Sequence, residues 1–182
     1  GGALGGVYDK WHLVPFGEFQ PAWLPVPIQV VPGGGFAPGP GPRTLHVPGL
    51  PPVGPMICYE AVYTGELVDR TDRPAWLVNV TNDAWFGNST GPRQHLAAAR
   101  FRAVEEGLPL MRAANTGISA GFDAYGRELG RLGMGRSATL ALALPGALAP
   151  TLFARFGLLI PGLLASAAVI VGFLASLRRY SS

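Results

Sequence analysis

The chain has 182 residues, of which 48% are hydrophobic and only 14% charged, a length that suits one domain plus an appendage. Its formal net charge of +3 comes from 14 Lys and Arg against 11 Asp and Glu, and the basic residues are scattered rather than gathered into a stripe, which argues against nucleic-acid binding. A single cysteine, Cys58, excludes an internal disulfide.

In chain order, Gly1-Gly2-Ala3-Leu4-Gly5-Gly6 lacks the charged start, apolar run and cleavage site of a signal peptide. The chain reads as though it begins inside a longer one. The segment 27–55 is crowded with proline and glycine, as in Pro32-Gly33-Gly34-Gly35 and Pro38-Gly39-Pro40-Gly41-Pro42, so it can form neither a ladder nor a long helix. It is expected to be a surface loop, either a functional lid or disordered, with one short strand around 43–47. Short buried strands are predicted at 56–58 and 75–80, each ending in polar residues where a site could be built.

Thr90-Gly91-Pro92 opens a helix with proline in its first turn, and 94–106 continues it until Gly107 and Pro109 stop it. The runs 110–114 and 118–122 read as strands, the second turning through Asp123-Ala124-Tyr125-Gly126 into Arg127-Glu128-Leu129 as a hairpin. Weak alternation over 137–144 predicts one more strand. Strand, helix, strand and hairpin define an α/β class.

The run 156–177 carries no charge and is long enough to cross a hydrocarbon layer as a helix. The alternative is a buried helix of a soluble domain. Arg155 precedes the run and Arg178-Arg179 follow it, which predicts a cytoplasmic carboxyl terminus. Residues 1–150 then form a catalytic unit on the outer side of that membrane, and 178–182 a cytoplasmic tail. An exposed thiol on the outer side is liable to oxidation, so a lone cysteine kept there needs a reason.

Cys58 closes an apolar stretch in Ile57-Cys58-Tyr59-Glu60. A thiolate that attacks an acyl carbonyl forms a thioester, and it needs a base for its proton and a cation or N–H donors for the developing oxyanion. Lys10 can supply the charge and the Tyr59 N–H a donor, while Glu18 and Glu60 are candidate carboxylates. The plain readings are an inert buried thiol and surface ion pairs. Trp85 and Phe86 either contact an acyl chain or pack, and Asn82 and Asp83 either orient a pocket or cap a turn. His95 lies inside the predicted helix and is not expected to act as the base for Cys58. His12, His46 and His95 show no metal-ligand spacing, so neither metal nor cofactor is expected.

Four ordered motifs carry a resemblance. Tyr8-Asp9-Lys10-x-His12-Leu13-Val14-Pro15-Phe16-Gly17-Glu18, Ile57-Cys58-Tyr59-Glu60, Asn82-Asp83-Ala84-Trp85-Phe86-Gly87 with Gly91-Pro92-x-Gln94-His95, and Arg112-Ala113-x-Asn115-x-Gly117-Ile118-Ser119-Ala120 resemble those of the apolipoprotein N-acyltransferases, the membrane-bound bacterial branch of the nitrilase superfamily. The resemblance implies part of a nitrilase-like α-β-β-α sandwich followed by one C-terminal transmembrane helix, in the inner membrane, with the sandwich on its periplasmic side. It implies Cys58 as nucleophile, Lys10 as the triad lysine, and Glu18 and Glu60 as supporting glutamates. It also implies a phospholipid as acyl donor and a diacylated apolipoprotein as acceptor. The family's general-base glutamate falls before the lysine motif, on a segment outside these 182 residues, so the chain by itself is expected to be inactive. Two other readings stay open, a membrane-tethered amidase with water as acceptor and a non-catalytic membrane-anchored binding module.

Overall fold

The structure, a computed structural model, describes residues 5–21, 23 and 35–180. Residues 27–34 of the expected loop lie outside these.

Five strands, β1 (Val53–Ile57), β2 (Trp76–Thr81), β3 (Leu110–Ala114), β4 (Ser119–Phe122) and β5 (Glu128–Leu132), form one sheet in the order β1-β2-β3-β4-β5. The first two pairings are parallel and the last two antiparallel. Helix α1 (Gly91–Glu106) makes the crossover from β2 to its parallel neighbour β3, as a parallel pair requires. Pro92 stands in its first turn, and Gly107, in the left-handed region at φ 65°, ends it by donating its N–H to the Ala103 and Val104 carbonyls.

One face of the sheet is the core. Along β2, Leu77 and Asn79 are buried while Val78 is half-buried and Val80 exposed, the period-2 pattern of a strand with one packed face. Against that packed face α1 lays a stripe of Pro92, His95, Leu96, Ala99, Arg102, Ala103 and Glu106, recurring at helical spacing. Met56, Leu77, Leu96, Leu108, Leu110 and Phe122 fill the space between. The chain thus supplies one helical and one sheet layer of the four-layer sandwich that the motifs imply.

Several boundaries differ from the sequence expectation. Strand β1 begins at Val53, inside the segment expected to be loop, and carries Pro55, which an edge strand tolerates. Cys58 lies beyond that strand and opens a 3-10 turn, Cys58–Val62. Around 43–47 there is a single antiparallel bridge, Leu45 to Val53, rather than a strand. No strand forms over 137–144 either. Leu140 and Leu142 lie over Gly121 and Gly130, so this stretch rests its side chains on the sheet instead of pairing its backbone. With Val78, Met111 and Ala113 they border a cavity of about 410 Å3.

The apolar run is divided. A short helix α2 (Leu152–Phe156), capped by the Thr151 hydroxyl, which accepts the Ala154 N–H at 2.9 Å, ends at Gly157, whose φ is 54°. Helix α3 (Leu159–Tyr180) follows, three residues later than expected. Its segment Leu159–Ser176 has a mean hydropathy of 2.1 and no buried residue, which does not fit the soluble-core alternative.

Candidate active site

Cys58 has φ 52°, a left-handed conformation that is unfavourable for a residue with a Cβ and is found where surrounding contacts over-determine it. It is partly exposed, with a free thiol. The turn it opens leaves the first N–H groups, including that of Tyr59, without a partner inside the turn. The Tyr59 ring stands edge-on to Tyr63, with centroids 5.5 Å apart.

Glu60 binds this turn to the lysine motif. Its side chain is fully buried and meets donors on every side. Oε2 accepts the Ile57 N–H at 2.6 Å, Oε1 accepts the Trp11 N–H at 2.8 Å and the His12 N–H at 3.3 Å, and the Tyr8 hydroxyl lies 3.0 Å from both oxygens. Burial, with the Glu60 charge beside it, pushes the Tyr8 hydroxyl well above its ordinary range, so Tyr8 remains a donor. One carboxylate therefore holds the residue after Lys10 and the residue before Cys58.

Lys10 itself is committed to Glu18. Its Nζ donates to both Glu18 oxygens, at 2.7 and 2.6 Å, and Glu18 Oε2 also takes the Val14 N–H at 2.8 Å. The lysine side chain is only 10% exposed. Phe16 is held at φ 63° between them.

A second cluster lies behind the nucleophile. His95 Nε2 is 2.9 Å from the Cys58 carbonyl oxygen and Nδ1 is 2.8 Å from Asp83 Oδ1. Asp83 Oδ1 also takes the Thr81 hydroxyl at 2.9 Å, and Oδ2 takes Arg112 Nη2. Burial raises the Asp83 carboxyl, but the His95 hydrogen bond and the Arg112 charge outweigh it and leave the group below the usual carboxylate range. Burial lowers the Arg112 guanidinium, opposed by the Asp83 charge and hydrogen bond. Neither Asp83 nor Arg112 was singled out from the sequence as central. The available signal was the helical register that puts His95 on the same stripe as Leu96 and Ala99.

Asn82 accepts the Ala84 N–H at 3.2 Å and the Asn115 amide at 2.7 Å, so it caps the 3-10 turn Asp83–Phe86. That turn leaves Trp85 70% and Phe86 41% exposed. The Phe86 ring is edge-on to His95, with centroids 5.8 Å apart, and covers Gly91, where a side chain would collide with it.

A left-handed cysteine just beyond a parallel strand, with a lysine–glutamate pair tied to its turn through a buried carboxylate, is a candidate thiol nucleophile site. Residues 1–144 match the carbon–nitrogen hydrolase family model, and the chain belongs to that family. It is 49% identical over 175 residues to the apolipoprotein N-acyltransferase of Bradyrhizobium diazoefficiens, covering 93% of this chain and 33% of that protein. To the apolipoprotein N-acyltransferase of Rhodopseudomonas palustris it is 50% identical over 161 residues, covering 86% of this chain and 30% of that protein. The chain thus spans about a third of the length of these relatives. Among solved structures, the carbon–nitrogen hydrolase from Helicobacter pylori G27 matches with a TM-score of 0.51 at 20% identity, over 72% of this chain and 49% of that one. The expected nitrilase-like fold class is borne out.

Proposed function

We propose that the chain carries the nucleophile-bearing part of an apolipoprotein N-acyltransferase. Cys58 Sγ attacks the ester carbonyl of a phospholipid, a C–S bond forms, and the lysophospholipid leaves as an alcohol that takes up a proton. The free amino group of a diacylglyceryl cysteine then attacks the thioester carbonyl, forming the amide and returning the thiol. Lys10 Nζ and the Tyr59 N–H stabilise the oxyanion in both steps.

The Cys58 proton needs a base, and the hydrogen bonds argue against both glutamates. Glu60 is engaged by the Tyr8 hydroxyl and three backbone N–H groups, and Glu18 by Lys10 and Val14. A carboxylate so engaged is a poor proton acceptor. Glu60 positions and Glu18 orients Lys10, and neither is the base. Trp85 and Phe86 face the acyl chain, and α3 spans the bilayer with the catalytic residues on the periplasmic side and the carboxyl terminus in the cytoplasm. Two lipid substrates explain such an anchor.

The single observation that carries this reading is the Glu60 bridge between a left-handed cysteine and the lysine motif, in a chain that also has a fully exposed apolar helix. Its test takes the protein expressed from its whole reading frame and loads it with a labelled phospholipid. A diacylated lipopeptide is expected to discharge the label as an N-acyl product, at a rate that buffer does not match. Discharge by buffer alone, at the same rate, would make the protein an amidase-like hydrolase instead.

A further inference from the structure

Nothing in the proposed chemistry uses His95, yet it is 5% exposed and both of its ring nitrogens are engaged. The Cys58 carbonyl can only accept, so Nε2 carries the proton that bonds it, while Nδ1 faces Asp83 Oδ1 with Arg112 Nη2 3.4 Å away.

The contact falls on the peptide that a left-handed Cys58 has to hold. At φ 52° the backbone is secured on its amino side by the Ile57 N–H bond to Glu60. On its carboxyl side the Cys58 carbonyl meets His95 Nε2. Behind His95 the chain of bonds closes on itself. Asp83 takes Arg112 Nη2, Arg112 Nη1 donates to Asn79 Oδ1, Arg112 Nε donates to the Ile118 carbonyl at 3.2 Å, and Asn79 Nδ2 donates to the Met56 carbonyl at 3.1 Å. Met56 is on β1, two residues before the nucleophile. The cluster thus grips the nucleophile strand at Met56 and again at Cys58, using side chains from β2, α1 and β3. Asn79 is fully buried, and Asp83 and Arg112 are 1% and 4% exposed, so water does not compete for these bonds.

We infer that His95, held by Asp83 and Arg112, is a positioning residue that fixes the Cys58 carbonyl and through it the direction of Sγ. It takes no proton from the thiol. The inference rests on the proposed acyl transfer only for what Sγ attacks, and the geometry it describes governs any electrophile.

The test compares two amide substitutions in the protein expressed from its whole reading frame. In His95→Gln the amide nitrogen can reach the position of Nε2 and keep the bond to Cys58. In His95→Asn the amide nitrogen stops near Nδ1. Both side chains are polar and smaller than histidine, so a difference between them is not one of simple burial. Two rates are read. The first is alkylation of Cys58 by iodoacetamide, in which the S–C bond forms, iodide leaves and the thiol proton goes to solvent. The second is single-turnover acylation by phospholipid, together with the lipid concentration at half-maximal rate. Misplacing a reacting atom by about 1 Å costs about 10²-fold. His95→Asn is expected to slow both rates by about that factor with half-saturation unchanged within about twofold, and His95→Gln to stay within about tenfold of the parent. Equal rates for Gln and Asn, a faster Asn, or a change confined to half-saturation would overturn the inference. Alkylation needs no lipid, so the predicted order there with no acyl transfer in any variant would sink the acyltransferase reading and leave the positioning role standing.

Discussion

At the scale of single residues the most consequential side chain is Glu60, because it is bonded both to the lysine motif and to the nucleophile turn. Replacing it by Gln puts an amide donor where Tyr8, Ile57, Trp11 and His12 all donate. A buried donor left without an acceptor costs about 1–3 kcal/mol. Glu60→Gln is therefore expected to lower unfolding stability by about that much, more than Glu18→Gln, whose carboxylate is partly exposed, and to slow thioester formation. Urea unfolding and single-turnover acylation of the two variants check it, and an unaltered urea midpoint in Glu60→Gln would contradict the bridge. Cys58, Lys10, Glu18 and Glu60 could be proposed from the sequence because each stands in a short local motif. Asp83, His95 and Arg112 were not legible as a unit, since 12 positions separate the first two and 29 positions separate Asp83 from Arg112, and only the sheet register brings them together.

Among the elements, the β2–α1–β3 crossover sets the site. It packs Leu77, Leu96 and Leu110 on one side and delivers the buried ions at the strand ends. The Asp83 carboxyl sits below the usual range in the folded protein, so folding favours its charged form. The resulting stabilisation is complete above the unfolded carboxylate value of about 4 and is lost as pH falls through the lower folded one. Urea midpoints measured between about pH 3 and 7 are expected to drop at the acid end, with a shallower drop in Asp83→Asn. A parallel fall in both proteins would deny Asp83 that part. Helix α1 and strands β2 to β5 were readable from caps, alternation and turn residues. The 137–144 stretch was misread because its weak alternation serves side-chain packing over Gly121 and Gly130, which period alone does not distinguish from pairing.

At the scale of the molecule, two apolar surfaces stand open among the described residues. One is α3, whose described side chains include Leu163, Leu164, Val169, Ile170, Val171 and Phe173, all more than half exposed. The other is the sheet face with Val78, Val80 and Met111. This helix is long and apolar enough to cross a bilayer, so removing residues 159–182 from the protein is expected to weaken its retention by phospholipid vesicles in flotation. Unaltered flotation would place the membrane contact elsewhere. The second face is of the kind that a further layer covers in a sandwich, and the chain spans about a third of the length of its relatives.

All of this converges on the sulfur of Cys58, and the mass of its peptide after the whole-frame protein meets a phospholipid is the most direct measurement. The expected result is an increase equal to one fatty acyl group on that peptide, removed by neutral hydroxylamine and lost in Lys10→Met. Folded protein whose Cys58 alkylates readily yet never gains an acyl group from phospholipid would contradict the account.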